Sequence, residues 1–323
     1  VTVGEMLNFP FMNRFAFDRA EHGATGAYMA LFTISWSVAH IIGHTLGLNL
    51  IANGITPDEA KGCVQLIQAA DHLGNVDLPR KVTASTIGTV TEIGSASETN
   101  PTTAKVTLSP KRASAYVEVS KQALIQSAVA LETMIRDDLV MSTAVHIENQ
   151  CFNGTGTAPQ MTGLRYTASI GTVVGGTNGA APAWSHFVDL ETACAVANAE
   201  PDRLAGYAIN TKTRGKTKQT QMGTNLPWIW QNSAQPVNGY RAAVTNTLPS
   251  NLTKGTSTTV CSAAIFGSDW SMATIGLFGA PDVTVDPYTK ADSGQVKITL
   301  NQFADFGCRQ PACFAKIEDL LAG

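Results

Sequence analysis

The chain has 323 residues, which fits two domains or one large one, and 44% of them are hydrophobic, so a sizeable core can form. Its net charge of −3 and its pI of about 6.1 argue against a basic groove built for nucleic acid. Charged residues make up only 15% of the chain, against about 25% in an average soluble domain. Two interpretations stay open: partners cover much of the surface, or the exterior is uncharged and rich in threonine.

Residues 1–31 predict an arm rather than a packed element. Their phenylalanines follow neither a helical nor a strand period, and such aromatic anchors need a surface to lie on. These anchors are Phe9, Phe11, Phe15 and Phe17.

Residues 22–57 contain no Asp, Glu, Lys or Arg, which raises the alternative of a membrane span through residues 27–50. Residues 32–38 alternate apolar and polar side chains, as a half-buried strand does. The histidines and asparagines that follow would be costly in lipid. We therefore expect no contact with a membrane, and the chain does not start with the basic and apolar stretches of a signal peptide.

His40 and His44 are the candidates for a metal-dependent enzyme, because they are spaced four residues apart. A zinc-protease helix needs Glu directly after the first histidine, and Ile41 stands there, while Gly43 weakens any helix. The chain also lacks a G-x-S-x-G motif for a serine nucleophile. We expect no enzyme, no cofactor and no metal, and two structural histidines.

Residues 57–72 predict a short helix, and residues 82–120 predict a long two-stranded excursion. In the excursion, threonine and β-branched residues favour a strand at 82–91, turn residues fill 93–103, and the chain returns as strand at 105–108 and 116–120. An isolated ribbon of that length is marginal in water. We expect it to fold over its own domain or to lie on another subunit.

Residues 121–152 predict a long helix, because apolar residues recur at helical spacing along them. Ser127 is a candidate cap for a break in that helix. The segment CFNGTGTAPQMTG (residues 151–163) looks like a phosphate-binding loop, but it follows a helix and has no lysine. A helix C-terminus repels phosphate, so we expect this loop to end the helix, with Gly154 as its C′ residue.

The second half of the chain predicts alternating short elements. A helix is expected around 185–199, and the basic residues of 212–218 are expected in a solvated loop. Strands are expected at 207–210, 283–286, 296–300 and 312–317, and a strand followed by a turn is expected at 263–270. The six cysteines show no CxxC spacing, which indicates reduced and mostly buried thiols.

Taken in order, these parts resemble the HK97-like major capsid proteins of tailed bacteriophages. The resemblance covers residues 27–165 well and 260–320 less sharply, and no single motif carries it. The matching segments are LGNVDLPR (73–80), VTLSPK (106–111), VSKQA (119–123), ENQCFNGTG (148–156), MTGL (161–164) and QPACFAKI (310–317).

The resemblance implies an α+β capsid fold with four parts. These are an N-terminal arm (1–50), an extended β-hairpin called the E-loop (80–115), a P-domain (51–79, 116–164 and 283–310) whose spine helix spans about 128–152, and an A-domain (165–282 and 311–323).

The resemblance also implies a function and a set of partners. Subunits of this family form hexamers and pentamers that close into an icosahedral shell around double-stranded DNA, which they contact without sequence specificity. The chain would then belong to the virion, assembled in the bacterial host cytoplasm, with portal, scaffold, protease and decoration proteins as further partners. The candidates for its assembly interfaces are the four phenylalanines with Glu92, Glu98, Lys105, Lys111, Arg112 and Asp292.

Some members of the family lock the shell with an isopeptide between an E-loop lysine and an asparagine of a neighbour. Residues 82–104 contain no Lys or Arg, and Asp292 stands at the matching position, so we expect a shell without that bond. An encapsulin-like or gene-transfer-agent shell shares the same fold and stays open as the alternative function.

Overall fold

A computed structural model of the chain describes residues 65–68, 74–202 and 204–322. The arm with Phe9, Phe11, Phe15 and Phe17, the strand predicted at 32–38, and His40 and His44 lie outside the described residues. The chain divides into two compact units. The first combines Ala115–Met141 with Ala280–Asn301, and the second combines Ser142–Gly279 and Gln302–Gly323 with the described part of Leu46–Ser114.

Thirteen strands and three α-helices make up the described chain. The strands are β1 (Gln65–Gln68), β2 (Val76–Lys81), β3 (Thr103–Leu108), β4 (Lys111–Ser120), β5 (Gly171–Val173), β6 (Gly206–Ile209), β7 (Arg241–Val244), β8 (Leu252–Lys254), β9 (Ser257–Gly267), β10 (Ala273–Leu277), β11 (Asp282–Asp286), β12 (Gln295–Cys308) and β13 (Phe314–Leu321). The helices are α1 (Lys121–Asn153), α2 (Trp184–Val196) and α3 (Thr211–Thr217), with short 3-10 turns at Leu164–Tyr166, Trp270–Met272 and Pro311–Cys313.

Helix α1 confirms the long helix predicted over 121–152. Ser120 precedes it, and its hydroxyl accepts a hydrogen bond from the Ala123 amide (3.1 Å), which satisfies one of the free N–H groups of the first turn. The break predicted at Ser127 is wrong, since the helix is continuous there. The apolar face of its last part is fully buried: Leu139, Val140, Ala144, Ile147 and Cys151.

Glu148 is a buried carboxyl group in this last part of α1, with only 2% of its surface exposed. Its Oε1 atom accepts hydrogen bonds from the hydroxyls of Thr245 (2.7 Å) and Thr247 (3.1 Å). Burial raises the pKa of Glu148, and the two hydroxyls offset that rise only in part. The helix is therefore tied to the segment after β7 through a group that resists ionisation.

We expect Glu148 to make the stability of the protein fall as the pH rises. The carboxyl ionises first in the unfolded state, near its ordinary pKa of 4.5, while the folded state keeps its proton to a higher pH. The free energy of unfolding should decrease through that window. The Glu148→Gln variant keeps a hydrogen-bond acceptor but cannot ionise, so it should lack this decrease. Urea unfolding of both proteins between pH 4 and pH 8 tests this, and parallel pH profiles would contradict it.

The loop after α1 folds back onto the end of the helix, as predicted. The Gly163 amide donates to the Gly154 carbonyl (2.8 Å), and the Gly154 amide donates to the Gln150 carbonyl (2.9 Å). The role predicted for Gly154 is wrong in one respect, because the positive φ of this loop belongs to Gly156 (φ 79°). Gly154 is needed for space instead: a Cβ atom there would lie 2.3 Å from the Met161 carbonyl oxygen.

Arg165, which follows this loop, joins it to the rest of the second unit. Its side chain donates to Asn153 Oδ1 (2.8 Å) at the end of α1 and to Glu318 Oε1 (2.7 Å) on β13. Lys316 donates in turn to the Arg165 carbonyl (2.5 Å). Because Arg165 is buried, these charge-assisted bonds fix where the chain goes after the helix.

One sheet of the second unit has the strand order β5-β13-β9-β6-β7, with β8 also paired to β9. Its centre is β9, where Cys261–Gly267 are all buried. Helix α2 packs Phe187, Leu190 and Cys194 into the same core, next to Tyr207 of β6. The helix predicted around 185–199 and the strand predicted at 207–210 are confirmed.

The solvated loop predicted for 212–218 is wrong, because these residues form most of helix α3. Asn210 caps this helix by accepting a hydrogen bond from the Lys212 amide (2.8 Å). Thr213 and Thr217 form the fully buried face of this helix, and the Thr213 hydroxyl donates to Ser262 Oγ of β9 (2.7 Å). Neutral threonines thus give the basic segment a buried face, which the charge pattern did not indicate.

The other main sheet has the order β1-β10-β12-β11, with β4 also paired to β12. The helix predicted over 57–72 is wrong for its described part, because Gln65–Gln68 pair in parallel with Thr274–Leu277. Backbone pairing with a distant strand overrides the local pattern here. The strands predicted at 263–270, 283–286, 296–300 and 312–317 are confirmed in β9, β11, β12 and β13, whereas β10 was missed.

The five cysteines that the structure describes are free thiols. Four are buried, and Cys313 is half-buried. Burial raises the pKa of Cys194 and Cys308 to about 12, so these thiols stay protonated and unreactive. The prediction of reduced core thiols is confirmed for the described cysteines, and Cys63 lies outside them.

Candidate functional site

The feature of the described chain that points most clearly to function is an excursion between β2 and β3. The two strands pair antiparallel from Val76↔Leu108 to Lys81↔Thr103. We call the residues between them, 82–102, the distal segment. The strand predicted at 82–91 is wrong, because the distal segment contains no strand. Beyond the ladder, threonines hold the two arms together, through Thr83–Thr102 (2.6 Å) and Thr86–Thr99 (2.9 Å).

Every residue of the distal segment is exposed. Ile87 is 92% exposed and Ile93 is 98% exposed, values that leave almost none of either side chain in contact with the described chain. Glu92 and Glu98 lie in the same segment, and Glu98 accepts a hydrogen bond from Asn100 (2.9 Å). A segment of this length with no buried face gains no stability from a core of its own, and its exposed isoleucines are available for contact with another molecule.

The root of the excursion, where β3 ends at Leu108, is packed, in contrast to the distal segment. Leu108 is 1% exposed and forms a small core with Leu78 and Phe278, which Val106 joins from the side. Two glycines of the sheet make room for it. A Cβ atom on Gly307 would lie 2.8 Å from both Leu108 and Val106, and one on Gly276 would lie 3.1 Å from Leu108.

Asp305 locks this root through a buried carboxylate on β12. It is 2% exposed, and it accepts hydrogen bonds from the Ser109 amide (2.8 Å) and from Lys111 Nζ (2.6 Å). Ser109 and Lys111 lie on either side of Pro110, at the point where β3 turns into β4. The carboxylate therefore fixes the turn at the base of the excursion, and a charge-assisted pair does so more firmly than neutral groups would.

The charged candidates named from the sequence occupy different environments. Lys105 donates to Asp77 (2.7 Å) across the ladder, and this bond holds the pKa of Asp77 below its ordinary value. Lys111 is bound to Asp305, as described above. Arg112 is exposed on β4, and Asp292 is exposed between β11 and β12. The residues that sequence reasoning missed are Asp305 and Asp77. The signal for Asp305 was a lone acid inside the apolar run FADFGC.

Two further features are lacking in the residues that the structure describes. These residues contain no group of three or more His, Cys, Asp or Glu side chains that could hold a metal ion. Among the helices of these residues, none is long and apolar enough to cross a membrane. The excursion between β2 and β3 has a fixed root and an exposed distal segment, which suits contact with a partner.

Comparison with known proteins identifies the family of the chain. Residues 63–319, well over half of the chain, match the phage capsid family. The major capsid protein of Halomonas phage phiHAP-1 is 28% identical over 243 residues, which are 75% of this chain and 37% of that protein. The chain thus spans little more than a third of the length of this curated relative.

Solved structures agree on the fold. The capsid of a native GTA particle superimposes with a TM-score of 0.65 at 18% identity, covering 85% of this chain and 90% of that one. A structure from Microbacterium phage Oxtober96 gives a TM-score of 0.60 at 12% identity, with coverages of 79% and 89%. The resemblance to HK97-like capsid proteins and the predicted α+β capsid fold are confirmed. The chain belongs to the phage capsid family.

Proposed function

We propose that the chain is a major capsid protein that assembles through hexamers and pentamers into an icosahedral shell enclosing double-stranded DNA. The observation that carries this proposal is the match to the phage capsid family over residues 63–319. The relative from Halomonas phage phiHAP-1, named a major capsid protein, supports it. In this role the chain is structural and carries out no catalysis.

The distal segment supports the same function from physical grounds. Its isoleucines are almost fully exposed, whereas its root is fixed by Leu108 and Asp305. A second copy of the chain is the partner that a shell would supply in every capsomer. Burying an isoleucine side chain contributes about 1.5–3 kcal/mol, so Ile87 and Ile93 would add usefully to such a contact.

The division into parts belongs to this proposal. We propose an N-terminal arm (1–50), an E-loop (80–115), a P-domain (51–79, 116–164 and 283–310) and an A-domain (165–282 and 311–323). The partners we propose are other copies of the chain, packaged DNA, and portal, scaffold, protease and decoration proteins. The place of action would be the virion, after assembly in the host cytoplasm.

Electron microscopy of the purified protein tests the proposal. We expect closed icosahedral particles, formed by the chain alone or together with a scaffold and a portal. DNA that survives nuclease treatment inside particles from infected cells would identify a virion, while packaged protein would favour an encapsulin-like compartment. Protein that stays monomeric or forms only amorphous aggregate, with and without scaffold, would contradict the proposal.

We further propose that the shell is held without an isopeptide from the distal segment. That segment contains no lysine, and the position expected to receive such a bond is Asp292. Particles boiled in detergent should therefore run as single subunits on a denaturing gel. A ladder of covalent rings would overturn this prediction.

A further inference from the structure

Charges are segregated along residues 166–268, a part of the second unit. Residues 166–202 contain four acidic residues and no Lys or Arg, whereas residues 203–268 contain no Asp or Glu. The chain as a whole has 25 acidic and 22 basic residues, so this separation is not a consequence of composition. The acidic residues are Asp189, Glu191, Glu200 and Asp202, and the basic ones are Arg203, Lys212, Arg214, Lys216, Lys218, Arg241 and Lys254.

Strand β6 has the exposed acid Glu200 before its start and the basic helix α3 after its end, although Arg241 also lies at the start, opposite Gly206. The chain enters Gly206 from the acidic segment that ends at Asp202, and it leaves Ile209 directly into the basic helix α3. Four residues of strand span about 13 Å. Glu200 and Lys212 thus lie beyond opposite ends of this strand.

The acidic side presents an exposed face on and after α2. This helix buries Phe187, Leu190 and Cys194, and its exposed positions include Asp189 and Val196, the latter 77% exposed. Glu200 follows the helix and is also exposed. Glu191 is used internally, since it accepts hydrogen bonds from Asn238 and Tyr240. We call Asp189, Val196 and Glu200 the acidic face.

The basic side presents the outer face of α3. Thr213 and Thr217 hold the inner face against the sheet, so Lys212 and Lys216, four residues apart, project together into solvent. Lys218 is exposed as well, and its ammonium lies 5.9 Å from the centre of the Trp230 ring. We call Lys212, Lys216 and Lys218 the basic face. Within the described residues, no ion pair involves Lys212, Lys216, Asp189 or Glu200.

We propose that the basic face of one copy docks on the acidic face of a second copy, head to tail. Two different surfaces of opposite sign on one chain are what a heterologous contact needs, and such contacts form a ring when the rotation between copies closes. A polyanion such as DNA fits only the basic face and leaves the acidic face unexplained. This inference rests on the proposed function, and it names the residues that would select neighbouring copies during assembly.

A charge-swap experiment tests the contact. One variant carries Lys212→Glu and Lys216→Glu, a second carries Asp189→Lys and Glu200→Lys, and a third combines all four. Each of the first two should reduce the yield of closed particles at least about tenfold, because like charges meet across the contact. The combined variant should regain most of that yield, since the two charges have exchanged places. The conservative control is a variant that carries both Lys212→Arg and Lys216→Arg, which should assemble as the natural chain does.

The outcomes separate this inference from the proposed function. If the natural chain forms no particles, the proposed function fails. If it forms them and the two reversed variants assemble equally well, only the head-to-tail contact is overturned. Absence of rescue in the combined variant also overturns it. Normal assembly of the lysine variant with loss of nuclease-protected DNA would assign the basic face to nucleic acid and overturn it too.

Discussion

Replacing Asp305 with alanine is expected to lower the free energy of unfolding by about 3 kcal/mol. The carboxylate is buried and accepts hydrogen bonds from the Ser109 amide and the Lys111 ammonium. Removing it leaves a largely covered ammonium without its counter-charge, a loss that ranges over about 3–5 kcal/mol for buried pairs. Because the Lys111 side chain is 26% exposed, water can relieve part of the cost, and we expect the lower end of that range.

Urea unfolding followed by tryptophan fluorescence measures this effect on the free subunit. Asp305→Asn keeps the shape of the side chain and should lose less stability than Asp305→Ala. The matched control is Asp77→Ala, which removes the partner of Lys105 in an exposed ion pair and should change stability much less. An Asp305→Ala protein as stable as the Asp77→Ala protein would show that the buried pair contributes nothing net.

The Asp305→Ala substitution should also reveal how Asp305 affects the distal segment. Asp305 fixes the turn between β3 and β4, so its loss should loosen the whole excursion while leaving the distal segment as exposed as before. If copies of the chain contact one another through the distal segment, the looser root adds an ordering cost to each contact. Particle yield should then fall even at temperatures where the variant subunit is still folded.

Periodic features of the sequence predicted their elements well. Helix α1 was evident because apolar residues recur at helical spacing through Cys151, and its last part is buried as that pattern requires. Strand β12 alternates between half-buried and buried residues over Gln295–Gln302, which is the period-two signal of a strand. The capsid fold followed from the order of such elements, since no single motif was specific.

Features that depend on distant partners could not be predicted in this way. The local pattern of 57–72 favoured a helix, whereas Gln65–Gln68 gain their backbone hydrogen bonds from β10, more than 200 residues further along. The threonine-rich 82–91 favoured a strand, but those residues have no neighbouring strand to pair with. The sequence alone did not show what Asp305 binds, because its partners Ser109 and Lys111 lie 196 and 194 residues earlier in the chain. In each case the deciding energy comes from a contact that periodicity does not record.

Alanine at Gly163 or Gly154 is expected to have the second large effect, a loss of about 3 kcal/mol or more in the free energy of unfolding. A Cβ atom on Gly163 would lie 2.7 Å from three backbone atoms of Phe152 and Gly154, and one on Gly154 would lie 2.3 Å from the Met161 oxygen. Backbone atoms cannot rotate away as a side chain can, so the loop must open or the end of α1 must move.

Gly215→Ala separates this clash from the general consequences of losing a glycine. It lies inside α3 with no atom within 4 Å of its Cβ position, so alanine there should stabilise the protein by about 0.5–1 kcal/mol. Thermal unfolding of the three variants should therefore give shifts of opposite sign. If all three shifted the same way, the fit between the loop and the helix end would not be what requires glycine. The opposite signs would show that Gly154 and Gly163 let the chain close against α1, which in turn places Arg165 between Asn153 and Glu318.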